Sequence, residues 1–356
     1  MLEQVVAAFE KKDYQTAAKL IQQLLKESPD NPWVQFYLGR LYEVSNKRLE
    51  AEKIYRQLLL LTTHPKILIQ TRQGLKRLEE IKQEEKQRAI AQATAEPING
   101  ELGALILEPM SNEIKATAAK QFAQIMQLDA YTARLIMPSR GWRLHRTGAV
   151  GELQFYATQL QQAGIPCFCV RVPQIQRIQV FQVKYFSQSH PQATVICANE
   201  DNQVGHLTFN WSEVSARVEG LLPIFEKVVD INARRKLQRK TQTQDYAHFW
   251  DLHLPARHSI LRLYDNGYQF QQGLEIVANA SQNTVRINWN RLIEWIKAKI
   301  PQAKVWSDFP PFAETVLDQT DLLAQISAQI PILRQEKTHW DAAFHLYSGC
   351  ILTKSD

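Results

Sequence analysis

Leu38-Gly39-Arg40-Leu41-Tyr42 is followed, nine residues on, by Ala51-Glu52-Lys53-Ile54-Tyr55-Arg56-Gln57-Leu58, and the second stretch has a counterpart upstream. Ala17 precedes Ala51 by 34 residues, Ile21 precedes Tyr55 by the same interval, and Leu24 precedes Leu58. Within each copy these positions fall at i, i+4 and i+7, which places them on one face of a helix. A repeat of this length that puts a small residue and two bulky ones on one face describes a pair of helices crossing closely. Pro29, twelve residues after Ala17, stops the second helix of the first copy because it cannot continue the hydrogen-bond ladder.

These residues resemble tetratricopeptide repeats, over residues 1–65. Ala17, Gly39 and Ala51 stand at the small positions, Leu38, Tyr42 and Tyr55 at the bulky ones, and Pro29 at the terminal proline. The first copy lacks the Leu-Gly pair, and the second has Thr63 at the proline position with Pro65 two residues later. A third helical stretch from Lys66 to about Ala93, with Leu68, Leu75, Leu78 and Ile81 at helical spacing and charged residues around them, is expected to cap the stack. The resemblance implies an all-α unit over residues 1–95 whose helical groove holds a protein or peptide partner.

After a linker at 96–102 the pattern changes to short segments. Ala104–Leu107, Tyr131–Met137, Trp142–Arg146 and Ile165–Val172 read as strands, with helices from Asn112 to Leu128 and from Val150 to Ala163; Gly164 closes the second helix. In order this is β-α-β-β-α-β, a ferredoxin-like unit over 103–173. Residues 174–305 read as strand-rich, with strands at Ile178–Phe186, Ala193–Ala198, Val204–Asn210, Tyr246–Leu254, His258–Tyr264 and Tyr268–Phe270, closed by a helix from about Trp289 to Pro301. That order is similar to a pleckstrin-homology-like barrel, with a generic α+β domain as the alternative. Residues 306–356 are expected to be a helical segment, with helices at Asp318–Ile330 and Thr338–Tyr347; Trp340, Phe344 and Tyr347 form an aromatic stripe suited to a core. The expected class is therefore multidomain, an all-α stack followed by α+β. The stretch from Thr243 to Pro255 is similar to uncharacterised cyanobacterial tetratricopeptide-repeat proteins, a resemblance that implies no activity.

Composition bounds the function. The 356 residues suit two to three domains, and the net charge of +6 is mild. The longest uninterrupted aliphatic run, Leu58–Leu61, is far short of a membrane span, and Met1-Leu2-Glu3-Gln4 begins no signal sequence, so a cytoplasmic location is expected. Cys167, Cys169, Cys197 and Cys350 contain no CxxC pair; Cys167 and Cys169 are expected to be core thiols, and no metal or cofactor is expected. His248, His253 and His258 lie near Asp245 and Asp251, but residues five apart on a strand point to opposite faces, which leaves Asp251 and His253 side by side. The loop Pro138–Arg143 with His145-Arg146 could offer arginines to a phosphate, against the plainer reading of a hairpin with solvated arginines. HExxH, P-loop and GxSxG motifs are absent, so no catalytic residue is assigned.

The electrostatic outlier is Arg234-Arg235-Lys236-Leu237-Gln238-Arg239-Lys240. It is expected on an exposed connection, where Arg234, Arg235, Lys236, Arg239 and Lys240 form a candidate contact for an anionic membrane surface, giving peripheral association. No reader of base edges accompanies the run, which disfavours nucleic acid. The leading expectation is a noncatalytic adaptor or scaffold acting through its repeats. Binding of an anionic membrane or ligand is the alternative, and an unrecognised enzyme the third reading.

Overall fold

A computed structural model describes residues 1–231, 237–278, 280–330, 332 and 338–354, and the chain divides into two compact units, Met1–Gln92 and Ala93–Asp356. The first unit is helical: α1 (Leu2–Glu10), α2 (Tyr14–Glu27), α3 (Pro32–Val44), α4 (Arg48–Leu61) and α5 (Pro65–Thr94), whose last turn passes the unit boundary. The 34-residue period is visible in the backbone as well as the side chains. Lys12 and Asn46, which join the two helices of each pair, both adopt the left-handed conformation, at φ +57° and +59°. Asp13 and Asn31 cap α2 and α3 by accepting from the backbone N–H of Thr16 and Trp33.

Packing explains why one copy has glycine where the other does not. A Cβ on Gly39 would lie 2.6 Å from Tyr55 Cε1, so only glycine admits the ring at this crossing. At the equivalent positions of the first copy stand Val5 and Ile21, both fully buried: a larger residue is matched with a smaller one. Tyr55 meets a second glycine, because a Cβ on Gly74 would lie 2.6 Å from its Cε2. The buried face of α5 is accordingly Ile67, Thr71, Gly74 and Leu78, rather than the Leu68, Leu75, Leu78, Ile81 stripe expected from spacing. Helix α5 thus occupies the place of a third repeat's first helix.

The second unit is strand-rich, with two sheets. Its elements begin with β1 (Leu102–Leu107), α6 (Asn112–Met126), α7 (Ala130–Ile136), β2 (Arg143–Ala149), α8 (Val150–Gln162), β3 (Cys167–Arg171) and α9 (Val172–Gln176). Strands β2-β1-β3 form an antiparallel three-stranded sheet. The segment Tyr131–Met137, expected to be extended, is helical in α7 because Asp129 caps it, accepting from the N–H groups of Tyr131 and Thr132. The expected fourth strand is therefore missing and the ferredoxin-like order is not formed.

Next come β4 (Gln179–Gln188), β5 (Ala193–Ala198), β6 (Val204–Phe209), β7 (Ala216–Ile231), β8 (Leu237–Leu254), β9 (Ser259–Tyr264), α10 (Val285–Lys299), β10 (Lys304–Trp306), α11 (Phe309–Val316), α12 (Thr320–Leu323) and α13 (His339–Lys354). The second sheet has the order β10-β7-β8-β9-β4-β5-β6, with β10/β7 and β9/β4 parallel. Those parallel pairs differ from the antiparallel order on which the pleckstrin-homology-like expectation rested. Tyr268–Phe270 is not a strand; the Tyr268 hydroxyl instead turns inward and accepts from Phe186 N–H at 3.2 Å.

Side chains alternate across this sheet. Trp250, Leu252, Leu254, Leu261 and Leu263 pack with Trp289, Leu292 and Ile296 of α10. Val218, Ala247, Phe249 and Ile260 share the other core with α11, α13 and the three-stranded sheet, so residues from 104 to 352 contribute to one interior. Helix α13 is buried on every side from Asp341 to Leu352, and Phe344 and Tyr347 of the aromatic stripe are at most 1% exposed. A helix so enclosed must satisfy its polar side chains internally.

Candidate functional site

In the repeat unit, α4 and α5 diverge around a cavity of about 510 Å³ lined by Leu49, Leu75 and Leu78 with Arg48, Glu52 and Lys82 among its polar residues. Leu49 stands 81% exposed at this groove, beside half-buried Leu75 and buried Leu78. Arg48 pairs with Glu85 and Arg56 with Glu52, while Lys82 has no ion pair among the described residues. Four cations, Arg48, Arg56, Lys76 and Lys82, and two carboxylates, Glu52 and Glu79, thus line the groove around an apolar strip.

The same helices are locked by a carboxylate between repeats. Glu43 accepts from the Tyr55 hydroxyl at 2.7 Å and from Arg77 Nε and Nη2 at 2.7 and 3.0 Å, and Arg77 follows Glu43 by one repeat length of 34 residues. Burial alone would raise the Glu43 carboxyl, but hydrogen bonds from Arg77 and Tyr55, with the Arg77 charge, outweigh it and hold the group below its ordinary value. The six repeat positions divide by depth: Ala17, Ala51 and Tyr55 are fully buried, Gly39 is buried, and Leu38 and Tyr42 are half-buried.

In the second unit the sheet face under α13 carries a polar cluster. Asp251 and His253 of β8 point the same way, as their alternate spacing requires, and Arg262 stands opposite Asp251 on β9. Arg262 donates to both Asp251 oxygens at 2.8 and 2.7 Å and to the Ala328 carbonyl at 2.7 Å. Ser348 of α13 donates to Asp251 Oδ2 at 2.6 Å and lies 2.9 Å from His253 Nε2. With its proton given to Asp251, the serine oxygen accepts from His253, which fixes the Nε2–H tautomer and leaves Nδ1 buried without a partner. In a serine nucleophile the proton runs the other way, from hydroxyl to imidazole. All four side chains are fully enclosed, and this cluster joins β8, β9 and α13 as a packing device.

The neighbouring histidines behave alike. Burial lowers His253 to about 4, partly countered by the Asp251 charge, and lowers His345 to about 3 with help from Arg262, so both are neutral. His248 meets Arg286 on the half-exposed side, apart from His253. Burial raises the thiols of Cys167 and Cys169 to about 11 and about 12, so neither is a ready thiolate. Of the arginines at this loop, Arg143 donates to the Leu135 carbonyl at 3.2 Å and Arg146 pairs with Glu152 at 2.8 Å, while Arg140 is exposed.

Of the basic run, Arg234, Arg235 and Lys236 lie outside the described residues. Arg239 and Lys240 are exposed, but on β8 rather than on a connection, opposite Val229 and Val228 of β7. No group of three or more metal-ligating side chains occurs among the described residues, and no helix among them is long and apolar enough to cross a membrane. Sequence reading missed the roles of Glu43, Arg77 and Gly74; the intervals of 34 from Glu43 to Arg77 and 35 from Gly39 to Gly74 were the available signal.

The helix pairs, the close glycine crossing and the repeated left-handed turn define a tetratricopeptide-repeat segment at the N-terminus. A family model for the tetratricopeptide repeat matches residues 8–67. No curated protein and no solved structure matches the chain.

Proposed function

We propose that the chain is a noncatalytic adaptor whose repeat segment holds a protein partner in the groove between α4 and α5. Tetratricopeptide repeats as a class mediate protein–protein interaction, and the observation that carries the reading is the exposed Leu49 beside Leu75 and Leu78 within a rim where four cations outnumber two carboxylates. An apolar anchor with acidic flanks is the complementary partner chemistry. A photo-crosslinking residue placed at Leu49 of the full chain tests it in the source cell. The reading predicts a discrete crosslinked protein that the same probe at exposed Leu135 does not capture; identical products from both sites contradict it.

A second reading assigns Arg239 and Lys240, with the rest of the 234–240 run, to an anionic membrane surface. Its support is that both side chains are exposed. Each cation near such a surface contributes about 1 kcal/mol.

A further inference from the structure

Strands β7 and β8 run past the sheet they belong to. β10 follows β7 as far as Val218 and β9 follows β8 down to Phe249, but the β7–β8 ladder continues to Ile231 opposite Leu237. Among the described residues, β8 has no strand neighbour on its outer edge from Leu237 to His248. A two-stranded ribbon is marginally stable in water, and an open edge offers unpaired N–H and C=O groups to a further strand. Pro223 removes one donor from β7, whereas Arg239 to Tyr246 on β8 include no proline.

What guards the β8 edge is charge, and that charge is matched within the strand. Gln244 is an extra residue on β8, because Ile224 lies opposite Asp245 and Phe225 opposite Thr243. Lys240 lies opposite Val228, four residues from Ile224 on β7, so Lys240 and Asp245 share one face of the ribbon. Arg239 and Tyr246, opposite Val229 and Pro223, share the other. All four side chains are exposed, Tyr246 by 50%, and Asp245 accepts through Oδ1 from the N–H of Tyr246 at 2.8 Å.

We propose that two copies of the chain pair their β8 edges antiparallel about a two-fold axis at Gln242, joining two ribbons into a four-stranded sheet. With Gln244 left unpaired, as it is against β7, Gln242 meets Gln242 and Thr241 meets Thr243 of the second copy. Lys240 then faces Asp245 of the second copy on one side of the sheet, and Arg239 faces the Tyr246 ring of the second copy on the other, each twice by symmetry. A lysine on an edge ordinarily repels a second strand; here the same strand supplies its counter-charge. The repeat groove takes no part in this pairing, so its failure leaves the adaptor reading untouched.

Analytical ultracentrifugation of the full chain tests it. The parent forms a concentration-dependent dimer by about 100 µM. Lys240→Asp sets carboxylate against carboxylate twice, and Asp245→Lys sets ammonium against ammonium twice, so each variant alone dimerises about tenfold more weakly. Mixed in equal amounts, the two variants recover a dimer of parental affinity, because both contacts of the mixed pair are again opposite in charge. A monomeric parent, single variants that dimerise as the parent does, or a mixture no stronger than its components overturns the proposal. Should Asp245→Lys not fold, Gln242→Cys decides. Beside the axis it crosslinks to its counterpart under diamide oxidation, and crosslinking no faster than that of Leu135→Cys, exposed elsewhere, overturns the pairing.

Discussion

Gly74 and Tyr55 meet so closely that a methyl group on the glycine would lie 2.6 Å from the ring, and Gly39 stands equally close to the ring's other edge. One aromatic side chain is thus clasped by two glycines from neighbouring repeats. Alanine at either position gains about 1 kcal/mol of helix propensity but must displace a ring with no room to move. Gly39→Ala and Gly74→Ala should each destabilise the repeat unit by about 1–3 kcal/mol net, and the penalty should shrink in a Tyr55→Leu background. Equal penalties in both backgrounds, read from denaturant melts, would remove the clasp as their cause. Ala51→Leu at the same packed face should cost a similar amount.

Glu43 ties the same ring to Arg77. Its folded-state carboxyl is held below the ordinary value, so its contribution is present at neutral pH and lost as pH falls below about 4.5. Glu43→Gln should destabilise by about 1–3 kcal/mol at pH 7 and flatten the acid limb of the melting curve. A variant whose stability tracks the parent from pH 7 to pH 3 would show that the bridge contributes nothing.

The second unit should be acid-sensitive at a higher pH. His253 and His345 are neutral in the fold, at about 4 and about 3, whereas free imidazole takes up its proton near 6.5. Between those values the unfolded chain binds more protons, so stability falls as pH drops from about 6.5 towards 4, by up to about 1.4 kcal/mol per pH unit for each histidine. His253→Gln should reduce that slope in urea melts; an undiminished slope contradicts the assignment. Asp251→Asn, which strands the Arg262 guanidinium in the interior, should cost about 3–5 kcal/mol.

How legible this was in sequence differs by element. The repeats were readable because small and bulky residues recur at a fixed interval and need no knowledge of distant partners. Strand β7 was missed; it carries Gly220 and Pro223, which weaken a local strand pattern. Gly220 is there because a Cβ would lie 2.3 Å from the Phe344 ring, a contact from a helix more than a hundred residues away. The expected helix Asp318–Ile330 shrinks to Thr320–Leu323, and further on Gln329 adopts φ +50° while Arg262 donates to the Ala328 and Gln329 carbonyls. Helix α11 hid behind Pro310 and Pro311, which the first turn tolerates. The pairing of Asp251 with His253 followed from strand alternation; Arg262 and Ser348 depend on tertiary register, which a local pattern does not carry.

The basic run makes a separate claim on charge. Converting Arg239 and Lys240 to Gln, with Arg234, Arg235 and Lys236, should leave folding within about 0.5 kcal/mol per site. If the run meets membranes, the parent sediments with anionic vesicles at low salt, the variant does so weakly, and its salt dependence is flatter. A parent without affinity for such vesicles ends the membrane reading.

The central claim is that the repeat segment recruits a protein through the α4–α5 groove. Its most direct measurement is quantitative affinity capture from the source lysate with the full chain, comparing the parent with Leu49→Glu and Lys82→Glu, two surface changes that should preserve the melting temperature. The account predicts a small set of proteins lost from both variants and retained by the quintuple Gln variant of the basic run. Captured proteins unchanged by Leu49→Glu and Lys82→Glu, in variants that melt with the parent, would contradict it.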